Sequence, residues 1–111
     1  MRPVTVTRTS VGNSDPIVVD NYQDNFKLGL QVGLTPAATL TYSVQSTMDD
    51  PYADYATDFN TDATWFDVTG MATQTSSVQG NIFFPVRAVR LRVTAYTSGT
   101  PTLTVLQPTD K

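Results

Sequence analysis

Phe26-Lys27-Leu28-Gly29-Leu30-Gln31-Val32-Gly33-Leu34 alternates without a break. Phe26, Leu28, Leu30, Val32 and Leu34 project to one side; Lys27, Gly29, Gln31 and Gly33 project to the other. Side chains of an extended chain point to opposite faces in turn, so this stretch predicts a strand with one buried and one open face. The glycines on the open face weaken a strand and mark either a local twist or the close approach of another backbone.

The same pattern recurs outward from this segment. Val4 and Val6 alternate with threonines, and Ile17-Val18-Val19 is a brief β-branched run. Leu40, Tyr42 and Val44 alternate with Thr39, Thr41 and Ser43, and Trp65-Phe66-Asp67-Val68 reads as a compact aromatic strand. Gly80-Asn81-Ile82-Phe83-Phe84 leads to Val89, Leu91, Val93 and Ala95, which alternate with Arg90, Arg92, Thr94 and Tyr96. A turn over 97–101 then returns the chain along Thr102 to Leu106. Short strands between turn signals, with no helical apolar stripe, predict an all-β fold, an antiparallel sandwich or barrel. At 111 residues the chain is expected to form one domain. Residues 1–13 read as an extended N-terminal arm that either adds to a neighbouring subunit or forms an edge strand at home. Gly12-Asn13-Ser14-Asp15-Pro16 reads as a turn, and 108–111 as a polar tail.

Composition narrows the function classes. The chain has no histidine, cysteine or glutamate, and roughly one residue in six is threonine. The side chains that do most acid–base and nucleophilic work are missing, so catalysis is not expected. Only 15% of residues are charged, which predicts a neutral polar surface that is cheap to desolvate against another protein. A net charge of −3 lacks the basic footprint of a nucleic-acid binder. No segment approaches a membrane span, and Met1-Arg2-Pro3-Val4-Thr5 lacks a signal-peptide core, so the chain is expected to be soluble and unprocessed.

Three clusters invite a functional reading. Asp49, Asp50, Asp54, Asp58, Asp62 and Asp67 concentrate acidity in one stretch, but Pro51 and the absence of an EF-hand pattern favour a solvated loop over a metal site. No metal or other cofactor is therefore assigned. Tyr22, Tyr52, Tyr55, Phe59, Trp65 and Phe66 lie near that loop, which keeps a carbohydrate-binding module open, although Trp65 beside Phe66 is more simply core packing. Arg90 and Arg92 share a strand face opposite Val89, Leu91 and Val93, suited either to a protein partner or to the chain's own aspartates.

Tyr42-Ser43-Val44-Gln45, Met48-Asp49-Asp50-Pro51-Tyr52, Ala63-Thr64-Trp65-Phe66-Asp67 and Phe84-Pro85-Val86-Arg87-Ala88-Val89-Arg90-Leu91 occur in this order. Val93-Thr94-Ala95-Tyr96-Thr97-Ser98-Gly99 and Thr102-Leu103-Thr104-Val105 follow. Together, over about 40–107, they resemble the capsid cement, or staple, proteins of epsilon15-like short-tailed bacteriophages. The resemblance implies a jelly-roll-like sandwich on the outer capsid surface of the virion, made in the host cytoplasm. It implies the major capsid protein as partner, with paired copies at local two-fold positions. It transfers no catalytic or ligand residue. The contact surface expected from the residues themselves combines the arm (Val4, Val6), the open face of the deciding strand (Lys27, Gly29, Gln31, Gly33) and Arg90 with Arg92. A phage tail or head-completion subunit is a further alternative to the carbohydrate module.

Overall fold

A computed structural model describes residues 4–19, 27–49, 60 and 63–107. Among the described residues nine strands follow in chain order: β1 (Val4–Thr7), β2 (Gly12–Asn13), β3 (Ile17–Val18), β4 (Leu28–Leu34), β5 (Thr39–Thr47), β6 (Phe66–Asp67), β7 (Val78–Ile82), β8 (Ala88–Ser98) and β9 (Pro101–Leu106). They form two antiparallel sheets, one ordered β1-β9-β4-β7 and the other β2-β8-β5-β6, with β3 also paired to β8. The fold is an all-β sandwich.

The deciding stretch becomes β4, central in the first sheet between β9 and β7. Phe26, its first apolar residue, lies outside the described residues, as do 1–3 and 108–111. Leu28, Leu30 and Val32 are buried and face Tyr42, Val44, Leu91 and Val93 of the second sheet, with Leu103 and Val105 of β9 alongside. Full burial of each such side chain contributes about 1.5–3 kcal/mol. A one-residue slip of β4 would turn all of them to water, so the alternation fixes the register.

Two glycines serve the packing. Gly80 of β7 pairs with Leu30 on the inner face, and a Cβ there would sit 2.6 Å from Met71 Sδ. Met71 is fully buried, and its backbone carbonyl accepts from Val44 N–H at 3.0 Å, so the segment after β6 closes the side of the sandwich. Gly99 turns the β8–β9 hairpin at φ 100°, where a Cβ would meet that of Ala38 at 2.3 Å.

Several expectations need correction. Gly12 and Asn13, read as a turn, instead pair with Val93 and Arg92 as β2. Ser14 continues that attachment: its N–H donates to Leu91 C=O at 2.7 Å, and its Oγ accepts from Leu91 N–H at 2.9 Å. The start of the described chain is an edge strand at home, with Val4 opposite Val105 and Val6 opposite Leu103. Both valines therefore lie on the inner side of their sheet, and Val6 packs against the core. The strand expected over 80–84 ends at Ile82, which leaves Phe83 and Phe84 in the following loop.

Candidate functional site

The outer face of the first sheet can be built from register alone. Gln31 lies opposite Thr104 on one side and Gln79 on the other; Gly33 lies opposite Thr102; Thr5 and Thr7 complete the rows on β1. Opposed residues share a face, so this surface is a neutral lattice of threonine, glutamine and glycine. Lys27 is exposed just before β4, and Gly29 and Gln31 are exposed on it. The glycines are not required by packing. A Cβ at Gly33 would meet nothing within 4 Å, and one at Gly29 only the Leu106 carbonyl oxygen at an ordinary 3.5 Å. Neither has a positive φ. They leave shallow troughs on either side of Gln31, open to a partner's backbone.

The outer face of the second sheet behaves differently. Arg90 and Arg92 share it, as their spacing requires, and Arg92 is exposed. Arg90 is only 5% exposed, because Trp65 and Asn60 lie across it. Its Nε and Nη2 both donate to Gln45 Oε1, at 2.9 and 2.7 Å, and Nη1 donates to Asn60 Oδ1 at 2.8 Å and to the Asn60 carbonyl. Gln45 Nε2 donates to Asp67 Oδ1 at 3.0 Å, and Asn60 Nδ2 to the Ser14 carbonyl at 3.0 Å. The guanidinium carbon lies 4.2 Å from the Trp65 ring centroid. Burial, with a smaller contribution from the Arg92 charge, lowers the Arg90 pKa to about 10, so the side chain remains charged at neutral pH. Arg90 is thus an internal tie joining β8, β5, β6 and Asn60, and it must be withdrawn from the contact set. Trp65 is not a core residue between the sheets either; it is half-buried on the outer face with a guanidinium on its ring.

An apolar hollow of about 650 Å³ opens where β6 and β7 end their respective sheets. Ile82, Val68 and Val86 are buried at its base, while Met48, Phe66, Phe83 and Phe84 are more than half exposed along its rim. Phe66 lies opposite Ser46 on the inner side of its sheet, yet remains 68% exposed at the mouth of this opening. Phe83 also lines a second, shallower hollow with Leu106, Gly29 and Lys27. A group of exposed aromatics around one opening marks an interaction site more often than scattered apolar residues do. Sequence reasoning had assigned Phe66 to core packing and Phe83 and Phe84 to a strand. The available signal was Phe83-Phe84 ahead of Pro85: two adjacent aromatics cannot both face the core of an alternating strand.

Asp49 and Asp67 also line the opening. Asp49 Oδ2 accepts from Thr64 N–H at 2.6 Å, which pins the rim. Asp50, Asp54, Asp58 and Asp62, with Tyr22, Tyr52, Tyr55 and Phe59, lie outside the described residues. Among the described residues no three Asp side chains gather as metal ligands would. No helix among them is long and apolar enough to cross a membrane.

The chain matches no protein-family model, no curated protein and no solved structure.

Proposed function

We propose that this chain is a non-enzymatic structural protein of a bacteriophage virion. In this reading it sits on the outside of the icosahedral capsid, clamps adjacent major capsid subunits and stabilises the expanded shell against DNA pressure. It requires no cofactor and contacts neither nucleic acid nor membrane. Copies pair at two-fold positions, as the resemblance implies.

The observation that carries the reading is the neutral, glycine-troughed outer face of the first sheet beside an apolar rim. Such a surface can be buried against protein with few charges to desolvate. Contacts that are individually weak hold a lattice firmly once repeated, because each bound copy makes the next contact intramolecular. The strand orders β1-β9-β4-β7 and β2-β8-β5-β6 support a jelly-roll reading, since early and late strands interleave in both sheets. The contact set that follows is Lys27, Gly29, Gln31, Gly33 and Arg92, to which the aromatic rim is added.

Quantitative mass spectrometry of purified virions tests this. A copy number in proportion to the major capsid protein supports the clamp. A single ring's worth of copies would move the chain to the tail or head-completion apparatus, and absence from the particle would overturn the reading. A saturable Trp65 fluorescence response to a sugar would instead favour a carbohydrate-binding module. The stacking of Arg90 on that ring argues against one.

A further inference from the structure

The second hollow, on the outer face of the first sheet, encloses about 360 Å³, and its chemistry follows from register. Gly29 pairs with Leu106 on one side and Asn81 on the other, so the three form one row across the face. Neighbouring strands run about 4.8 Å apart, so Leu106 and Asn81 flank a gap of about 10 Å whose floor is bare backbone. Lys27 and Phe83 stand just past the paired residues Leu28 and Ile82 and line the adjoining side. Phe83 and Leu106 are 67% and 49% exposed, so the apolar walls stay open. Among the described residues Lys27 is the only charged one that lines the hollow, and no carboxylate there meets its charge.

Each feature restricts the occupant. The hollow is as deep as the side chain that Gly29 lacks, which suits one projecting side chain rather than a long ligand. Phe83 and Leu106 select an apolar one. The Lys27 ammonium at the edge favours a nearby carboxylate and repels a cation. Two residues along an extended strand span about 7 Å, which sets the separation of the two groups. We propose that this hollow seats an apolar side chain of a partner protein with a carboxylate about 7 Å from it, as when Leu and Asp stand two residues apart in an extended segment. The apolar group lies over Gly29 between Phe83 and Leu106, and the carboxylate meets Lys27. The inference rests on the capsid reading only in naming the shell subunit as the source of the segment.

Two capped pentapeptides, Thr-Leu-Thr-Asp-Thr and Thr-Leu-Thr-Lys-Thr, are titrated to millimolar concentration into the isotope-labelled protein and followed by amide chemical shifts. The Asp peptide is expected to shift amides of Lys27, Gly29, Asn81, Phe83 and Leu106, and to bind at least about threefold more tightly than the Lys peptide. Lys27→Glu should reverse that preference. Gly29→Leu fills the hollow and should weaken the Asp peptide at least about fivefold. Its Cβ would meet only the Leu106 carbonyl oxygen at 3.5 Å, and Gly29 has no positive φ, so the variant should fold, as its amide spectrum reports. Arg92→Glu makes the same charge change on the other sheet and should leave binding unchanged. No shifts at these residues, equal binding of the two peptides, or a preference that Lys27→Glu does not reverse would overturn the proposal. Hexanoate binding as tightly as the Asp peptide would give the hollow to a small amphiphile and also overturn it. Shell binding that survives both Lys27→Glu and Gly29→Leu would sink this inference and leave the capsid reading standing. Selective peptide binding by a chain that never joins a shell would do the reverse.

Discussion

Arg90 and Trp65 form a stacked pair on the outer face of the second sheet, guanidinium carbon to ring centroid 4.2 Å, with Gln45 and Asn60 taking the hydrogen bonds at the guanidinium edge. A buried arginine costs several kcal/mol of desolvation unless its donors are met, and here each nitrogen has a partner. The pair ties residues distant in sequence, from Ser14 through Asn60 to Asp67, onto one strand.

Arg90→Ala is therefore expected to lower stability by about 2–4 kcal/mol, since it strips the partners of Gln45 and Asn60. Trp65→Ala should cost about 1–2 kcal/mol. Arg90→Lys should recover little, because an ammonium cannot reproduce the two-pronged contact with Gln45. Urea unfolding of the two single alanine variants and their combination measures the coupling; additive losses would contradict the pairing.

Tyr42 supplies a pH prediction. Its ring is fully buried, its hydroxyl donates to the Ser76 carbonyl at 2.5 Å, and burial raises its pKa from 10.0 to about 12. Between those values the unfolded chain ionises while the folded one keeps its proton. The contribution is complete below pH 10 and lost as pH rises toward 12, on the order of 2 kcal/mol. Arg90 runs the other way, since its folded pKa is lowered to about 10 and relief of its burial favours the fold as pH rises. Tyr42→Phe should flatten the alkaline loss seen by urea unfolding at pH 9 and pH 11.5. An unchanged slope would contradict the assignment.

Gly80 and Gly33 should separate structural from functional glycine. Gly80→Ala forces a Cβ onto Met71 Sδ at 2.6 Å and should destabilise by about 1–3 kcal/mol. Gly33→Ala meets open space and should stay within about 0.5 kcal/mol of the parent. A larger residue such as Gly33→Trp should fold normally yet fail to join a shell. Thermal melts and shell co-sedimentation read both properties.

Much of the fold was legible in the sequence because period-2 alternation reports burial directly. It located β4, β5, β8 and β9, and the pairing of inner faces followed. The same pattern misplaced Arg90, because alternation tells which face a residue occupies and not whether distant residues roof that face. Asn60 and Trp65 supply that roof, and nothing local to β8 announces them. The rim was missed for the opposite reason: Phe66 has the right parity for the core, but it lines an open hollow instead of the packed interior. Gly29 and Gly33 stand out in the sequence; a Cβ would meet open space at Gly33 and only an ordinary contact with the Leu106 carbonyl at Gly29, which removes packing within this chain as their cause.

Phe66, Phe83 and Phe84 contribute little to stability while exposed, so serine at each should move the urea midpoint by no more than about 0.5 kcal/mol equivalent. A large loss of stability would place them in the core after all.

The most direct measurement adds purified protein to expanded shells that lack it, then follows occupancy by co-sedimentation and shell integrity on heating. The account predicts saturable binding in proportion to the capsid subunits and a higher rupture temperature, with Gly33→Trp abolishing both. No occupancy, or occupancy with an unchanged rupture temperature, would contradict it.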